Sequence, residues 1–404
     1  MNSAATWNAS ATFFYVRNSV FFIAVLAMNY TLMRPSPVDF LFLIALGLSL
    51  LVNQPVRKNV AVAITVIIFW MIAYMNASLP YAGDTDVQHE LLAKTLVGIV
   101  AVLTAFAASS WRKPEFITFL MVYMASTTIA ATIGIGAFAI GHPTLTWDGR
   151  AMAFIDDPNM FSSFLIPGIL AAIYLMKERK LPWIIGLGCA LVIAVGITVA
   201  FSRIASVAML FTIIAYLTYL NRKQLPVFIP KLILLALIGF VGIVVALSLS
   251  EEFAHKFLER LSFAKSYDVG REGRLGRYLL VLPMILENPR GVGVLQLEYI
   301  FPEPIHNIFL SAFVNYGWLG GISWLTLWGG AFVAGLRAYQ LTRSDIPVVL
   351  MLGLLGISMC AALHEAEHWR HLWLFIGLTW GFSAQTFLSC AKPTGQAKTA
   401  LVGA

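Results

Sequence analysis

Charged side chains are scarce in this sequence. Asp, Glu, Lys and Arg make up 12% of its 404 residues, against 59% hydrophobic. A soluble globular chain carries roughly a quarter charged residues, and a mean hydropathy of +0.81 excludes that class and the disordered one alike. Cysteine is nearly absent. Cys189, Cys360 and Cys390 sit apart in apolar runs with neither metal-ligand nor disulfide spacing, so they read as small buried hydrophobes. No HExxH, CxxC or cluster of carboxylates with metal-ligand spacing occurs, which argues against a tightly held metal. The stretch Gly270-Arg-Glu-Gly273-Arg-Leu-Gly276-Arg277 lacks the order of a nucleotide phosphate loop, so neither a nucleotide nor another cofactor is expected. A cleavable leader is not evident either. The first apolar run follows Arg17 without a small-residue cleavage pattern and is expected to stay as a signal anchor. The net charge of +7 is dispersed between apolar runs rather than clustered, so nucleic acid is not an expected partner.

What is present is a series of long apolar runs. A membrane span needs about twenty such residues, and candidates lie at 15–33, 37–53, 59–77, 91–110, 115–140, 160–176, 182–201, 204–220, 230–250, 317–336, 346–363 and 371–389. The expected fold is an all-α polytopic membrane protein of about twelve spans. Lys and Arg favour cytoplasmic loops. With the N-terminus inside, the inner loops carry Arg57, Lys58, Arg112, Lys113, Lys177, Arg179, Lys180, Arg222, Lys223, Arg337 and Arg343. The tail adds Lys392 and Lys398, whereas the short outer loops hold Asp84, Asp86, Glu90, Asp148, Asp156 and Asp157. The expected organisation is nine spans over 1–250, a loop with short helices over 251–316, three spans over 317–390 and a cytoplasmic tail over 391–404. The 251–316 stretch holds Lys256, Arg260, Lys265, Arg271, Arg274, Arg277 and Arg290. Long translocated loops escape the charge rule, so this is a cationic outer loop, read as short helices lying on the membrane surface.

Several outer groups could do chemistry. Arg271, Arg274 and Arg277 recur every third residue, so in a helix they share one side, and their guanidinium forks suit phosphate oxygens. A solvated basic face touching anionic lipid is the bland alternative. Arg203 follows a span in Phe-Ser-Arg, where a cation either snorkels to the interface or faces a cavity and holds an anion. His306 follows Pro304, which suits a helix start and puts the ring in the first turn. The helix dipole there keeps imidazole neutral, as a general base requires. An ordinary hydrogen-bonded histidine is the alternative. The last outer loop, His364-Glu365-Ala-Glu367-His368-Trp369-Arg370-His371, is dense in titratable groups. His364 and His368 lack a specified third ligand, so an acceptor-binding rim is favoured over a metal site. Asp156-Asp157-Pro158-Asn159 is ordinary turn chemistry.

Together these elements have a distinctive order. Asp157-Pro158-Asn159 precedes Ser202-Arg203, then Arg274-Leu-Gly-Arg-Tyr278, Asn288-Pro289-Arg-Gly291-Val-Gly293, His306-Asn307 and Asn315-Tyr-Gly317-Trp-Leu-Gly320. The series over about 150–325 resembles the O-antigen ligase and polymerase superfamily of bacterial envelope glycosyltransferases. Tyr278 stands where that family usually has Trp, and the aromatic spacing matches Arg274 to the family's arginine. The resemblance implies a GT-C-like inner-membrane enzyme with a periplasmic active site, and the loop charges put both termini in the cytoplasm. Its partners would be an undecaprenyl-diphosphate-linked glycan donor, a lipid A-core acceptor and membrane lipids. His306, Arg203 and Arg274 would be catalytic, and Arg271, Arg277, Asn307, Asn159 and Arg150 substrate-binding, with no metal. A ligase is favoured over a polymerase on span count and the His306-Asn307 element. A chain near 400 residues without a larger C-terminal periplasmic domain disfavours the protein-modifying branch. A transporter or flippase is the rival of another class, disfavoured because ionisable groups fall at span ends rather than midway.

Overall fold

The computed structural model describes residues 9–33, 35–249, 251, 254–255, 273–301 and 304–389. Arg271, Glu303, Cys390, the expected tail and most of 251–272 lie outside the described residues, as does the side chain of Arg274. Thirteen helices are described: α1 Ala9–Ala27, α2 Pro37–Leu51, α3 Lys58–Ser78, α4 Thr85–Ala108, α5 Lys113–Ala139, α6 Pro158–Lys177, α7 Trp183–Val199, α8 Arg203–Leu220, α9 Leu225–Leu249, α10 Arg274–Glu287, α11 Ile308–Thr342, α12 Ile346–Ala361 and α13 Arg370–Ser389. Twelve correspond to the expected spans. The thirteenth, α10, falls in the 251–316 stretch. By length and composition seven are long and apolar enough to cross a membrane, and four more apolar helices are shorter. The chain is an all-α multi-pass membrane protein.

Helix starts follow local chemistry. Ser36 caps α2 ahead of Pro37, in a capping box with Asp39. Asp84 caps α4. Asp157 caps α6 ahead of Pro158, its Oδ1 accepting from Asn159 N at 2.6 Å and Met160 N at 2.9 Å. Several boundaries differ from expectation, α11 starting at Ile308 rather than 317 among them, and two of them involve polar residues. The first helix starts at Ala9, so Arg17 lies within it, buried, donating to Asn18, Gln54 and Ser110. The polar turn Thr85–Glu90 is helical, so α4 begins six residues before its apolar run. Neither is visible in hydropathy, because a capped or paired polar residue is as helical as an apolar one.

Contacts between loops divide into two ends. At one, Lys113 pairs with Glu178 at 2.6 Å, Lys177 with Asp345, and Arg57 donates to Ala384 O. At the other, Thr31 N donates to Phe154 O, Val294 N to Ser78 Oγ, and Arg370 grips Asp39 with two bonds of 2.6 Å. Such alternation is what an up-and-down bundle produces. The described inner-loop cations of the sequence reading lie at the first end, the candidate site residues at the second. An aromatic core of Trp70, Tyr74, Tyr316, Trp324 and Trp373 backs the second end, with Trp70 and Trp373 centroids 4.5 Å apart.

Helix α11 is broken. Gly317 has φ 71° and ψ −170°, a region open essentially to glycine alone. The break frees Trp318 N and the Val314 and Asn315 carbonyls from the helical ladder, and the 288–293 segment takes them up. Trp318 N donates to Pro289 O at 3.0 Å, Val292 N to Val314 O at 2.8 Å and Gly293 N to Asn315 O at 2.9 Å. The backbones cross so closely that a Cβ on Gly317 would lie 2.3 Å from Pro289 O, and one on Gly291 2.5 Å from Asn315 O. Asn-Pro-Arg-Gly-Val-Gly and Asn-Tyr-Gly are thus two halves of one latch. It divides α11 into a short half, 308–316, and a long one, 318–342.

Candidate functional site

The site is built around the short half of α11. Its N-cap is Asn307, whose Oδ1 accepts from Phe309 N at 3.0 Å and Leu310 N at 3.1 Å. This corrects the expectation that His306 occupies the first helical turn. Pro304 lies four residues before the helix, and His306 precedes the cap. Asn307, expected to bind substrate, thus uses its carbonyl oxygen as the cap. His306 adopts φ 52°, uncommon for a side chain with a Cβ. Helix α10 holds it there. Arg277, 1% exposed, donates from Nη1 to Pro304 O at 2.8 Å, and Tyr278 donates its hydroxyl to His306 O at 3.1 Å. Arg277 therefore shapes the segment that carries His306. The residue matched to the family's aromatic does the same through its hydroxyl.

Helix α10 packs Val281 and Ile285 against Leu297, Phe301, Ile305 and Val314, and Trp318 Nε1 donates to Ile285 O at 3.0 Å. Leu279, Leu282 and Leu286 form an exposed apolar stripe on its other side. That is consistent with a short helix at a membrane surface.

Opposite His306 stands the 362–369 loop. The His306 and His364 ring centroids are 6.4 Å apart, and His364 lies 6.0 Å from the Trp369 ring. His364 Nδ1 is 2.9 Å from Cys360 O. A carbonyl only accepts, so Nδ1 carries the proton and Nε2 is the acceptor of the neutral ring. Glu365, partly exposed, has its carboxyl raised from 4.5 to about 7. Desolvation is the main cause and the Glu298 and Glu90 carboxylates add to it, while Lys94 and Arg277 oppose. His306 and His364 thus face each other, with Glu365 next in the chain. His371 is buried in α13 against Ser163 Oγ, 2.8 Å away, and does not join them. Among the described residues no three His, Cys, Asp or Glu side chains gather as a metal-ligand set.

Arg203 opens α8 after a three-residue turn from α7, partly exposed at the same end of the bundle. Ser202 is its N-cap and Phe201 has φ 49°. The turn is held by Arg150, whose Nε donates to Ala200 O and Nη2 to Asn159 Oδ1, both at 2.8 Å. Arg150 and Asn159 are therefore brought together, as a support under Arg203. Arg150 sits in a small hairpin, Thr146–Trp147 paired with Arg150–Ala151. Its turn residues Asp148 and Gly149 both have positive φ. Asp-Gly is the sequence signal that could have found that turn, which the expected fold did not include.

Sequence reasoning missed one group. Lys94, in the third turn of α4 and 5% exposed, pairs with Glu367 at 2.9 Å. It was overlooked because one lysine barely lowers the hydropathy of a 24-residue helix.

Residues 188–325 match the family model described as O-Antigen ligase. No curated protein matches the chain. The matched stretch runs from α7 through the latch and includes Arg203, Arg274, Arg277, Tyr278, His306 and Gly317, while Arg150, Asn159 and the 362–369 loop lie outside it.

Proposed function

Because the chain carries a domain of the O-antigen ligase superfamily, we propose that it is an O-antigen ligase-like inverting glycosyltransferase of the bacterial inner membrane. It moves a glycan from undecaprenyl diphosphate to a hydroxyl of a lipid A-core sugar at the periplasmic face. The carrying observation is His306, held at φ 52° between two bonds from α10 and facing His364. Residues held by their surroundings in sparsely populated backbone conformations cluster at functional sites.

In this reading His306 takes the acceptor hydroxyl proton as that oxygen attacks the anomeric carbon. The bond from the anomeric carbon to the diphosphate oxygen breaks, and its electron pair leaves with undecaprenyl diphosphate. Arg203 and Arg274 hold the charge that develops there, with Arg271 as a further donor. Arg150 and Asn159 keep the Arg203 turn in place, and Arg277 and Asn307 keep His306 in place. The diphosphate linkage supplies the driving force, so no nucleotide is needed, and arginine neutralises the leaving group without a metal.

The test is a transfer assay with purified protein. General-base catalysis contributes about 100- to 10,000-fold, so His306→Ala should lose that much while still binding undecaprenyl diphosphate. Full transfer by this variant refutes the assignment and moves the base to Glu365 or His364. Deletion of the gene with gel analysis of lipopolysaccharide separates the two family branches. Loss of all capped bands supports a ligase, and bands shortened to one repeat identify a polymerase.

A further inference from the structure

A lysine well inside an apolar helix is costly and has to be paired. Lys94 Nζ lies 2.9 Å from Glu367 Oε2 and 3.4 Å from Glu90 Oε2. The same Glu367 carboxylate gathers the rest of the corner. Oε1 accepts from Ser311 Oγ at 2.7 Å, and Oε2 accepts from the Tyr316 hydroxyl. Its backbone carbonyl accepts from Trp373 Nε1 at 2.8 Å. One residue thereby joins α4, the 362–369 loop, α13 and the short half of α11. Ser311 and Tyr316 both lie before the break at Gly317. The short half is cut from the long one, so its direction is not inherited from the helix behind it. The latch holds its base and Arg277 with Tyr278 hold its tip, whereas Glu367 holds its flank.

We propose that Lys94 is a positioning residue: through Glu367 it fixes the short half of α11 and the 362–369 loop in the one arrangement that sets His306 against His364. A buried ion pair is often no more stabilising than apolar residues of the same volume. Its contribution here is geometry. The transfer arm of the test rests on the function proposed above; the exchange arm does not.

The experiment compares the full-length protein with Lys94→Met/Glu367→Gln in lipid nanodiscs. The substitutions keep side-chain volume, and the glutamine retains groups for Ser311 and Tyr316. Hydrogen exchange of 308–316 and 362–369 is expected to quicken about tenfold or more, with 318–342 unchanged. Misplacing a catalytic group by about 1 Å can cost 100-fold, so kcat should fall about that much with the donor KM little moved. Lys94→Arg, which keeps the charge pair, should retain both properties. Unchanged exchange, exchange quickened uniformly across the bundle, or local quickening with full kcat each overturns the proposal. If the unmodified protein transfers no glycan, the proposed function fails, and exchange alone decides the positioning claim.

Discussion

Replacing Gly317 by alanine tests whether the latch, rather than any side chain, sets the active geometry. A Cβ there would lie 2.3 Å from Pro289 O, 2.5 Å from Arg290 C and 2.7 Å from Gly291 N. All three are backbone atoms, which cannot rotate away. The φ 71°, ψ −170° conformation adds about 1–3 kcal/mol for a residue with a Cβ. Relief comes most directly by straightening α11, which returns Trp318 N to the helical ladder and costs the latch three hydrogen bonds, about 1 kcal/mol each. The short half spans nine residues, roughly 14 Å at 1.5 Å per residue. A 10° change at its base therefore moves its tip by roughly 2 Å, several times the tolerance of about 0.5 Å for a working site. Gly317→Ala should lower kcat about 100-fold or more, with a smaller change in donor KM, because Arg203 stands on a separate helix. Gly188→Ala is the control, since a Cβ there meets nothing within 4 Å. The measurement is steady-state transfer by both purified variants. Gly317→Ala with the kcat of the unmodified protein would refute the argument.

Three other outcomes are expected. Arg203→Lys and Arg274→Lys keep charge but lose the bidentate fork, and a charge-assisted bond is worth about 1.5–3 kcal/mol; each should weaken transfer about tenfold or more, and full activity in both would make them lipid anchors. Glu365 gives a pH signature. Its folded value of about 7 exceeds the ordinary 4.5, so folding favours the neutral acid, and stability falls as pH rises between those values and then levels off. Thermal unfolding in detergent should show Glu365→Gln lacking that fall; parallel curves for the two proteins would contradict the raised value. Phosphatase fusions should be active near Lys265 and inactive at Lys180, and the reverse would put the site on the cytoplasmic side.

The polar network at the His306 end has two tasks with different chemistry. Arg150 with Asn159, and Arg277 with Tyr278, hold backbone carbonyls at Ala200, Pro304 and His306. They fix the backbone from which Arg203 and His306 project. Lys94, Glu367, Asp39 and Arg370 instead join helices distant in sequence. Several residues with the types expected at a phosphate site are thus committed to the scaffold. Arg203 and Arg274 carry the diphosphate assignment.

Much of the architecture was legible without coordinates, because lipid imposes it locally. A span must be apolar over its whole length and must satisfy its backbone internally, so twelve helix positions could be read from composition along the chain. A cap acts within three residues, so the starts after Ser36, Asp84 and Asp157 have local signals, yet the start after Asp84 was expected six residues later. The order of Ser202-Arg203, Arg274 to Tyr278, and His306-Asn307 likewise carried the resemblance to the family whose model matches residues 188–325. Which residue meets which was not legible. The pairing of Lys94 with Glu367, 273 positions away, and the crossing of 288–293 over Gly317 depend on how helices pack. No local pattern encodes that. The tertiary structure also moved His306 out of the first turn, because Asn307 competes better for the cap than Pro304 does for the helix start. It also gave Gly291 and Gly317 a task that the sequence did not show, a backbone crossing where the absence of a Cβ lets two segments approach so closely.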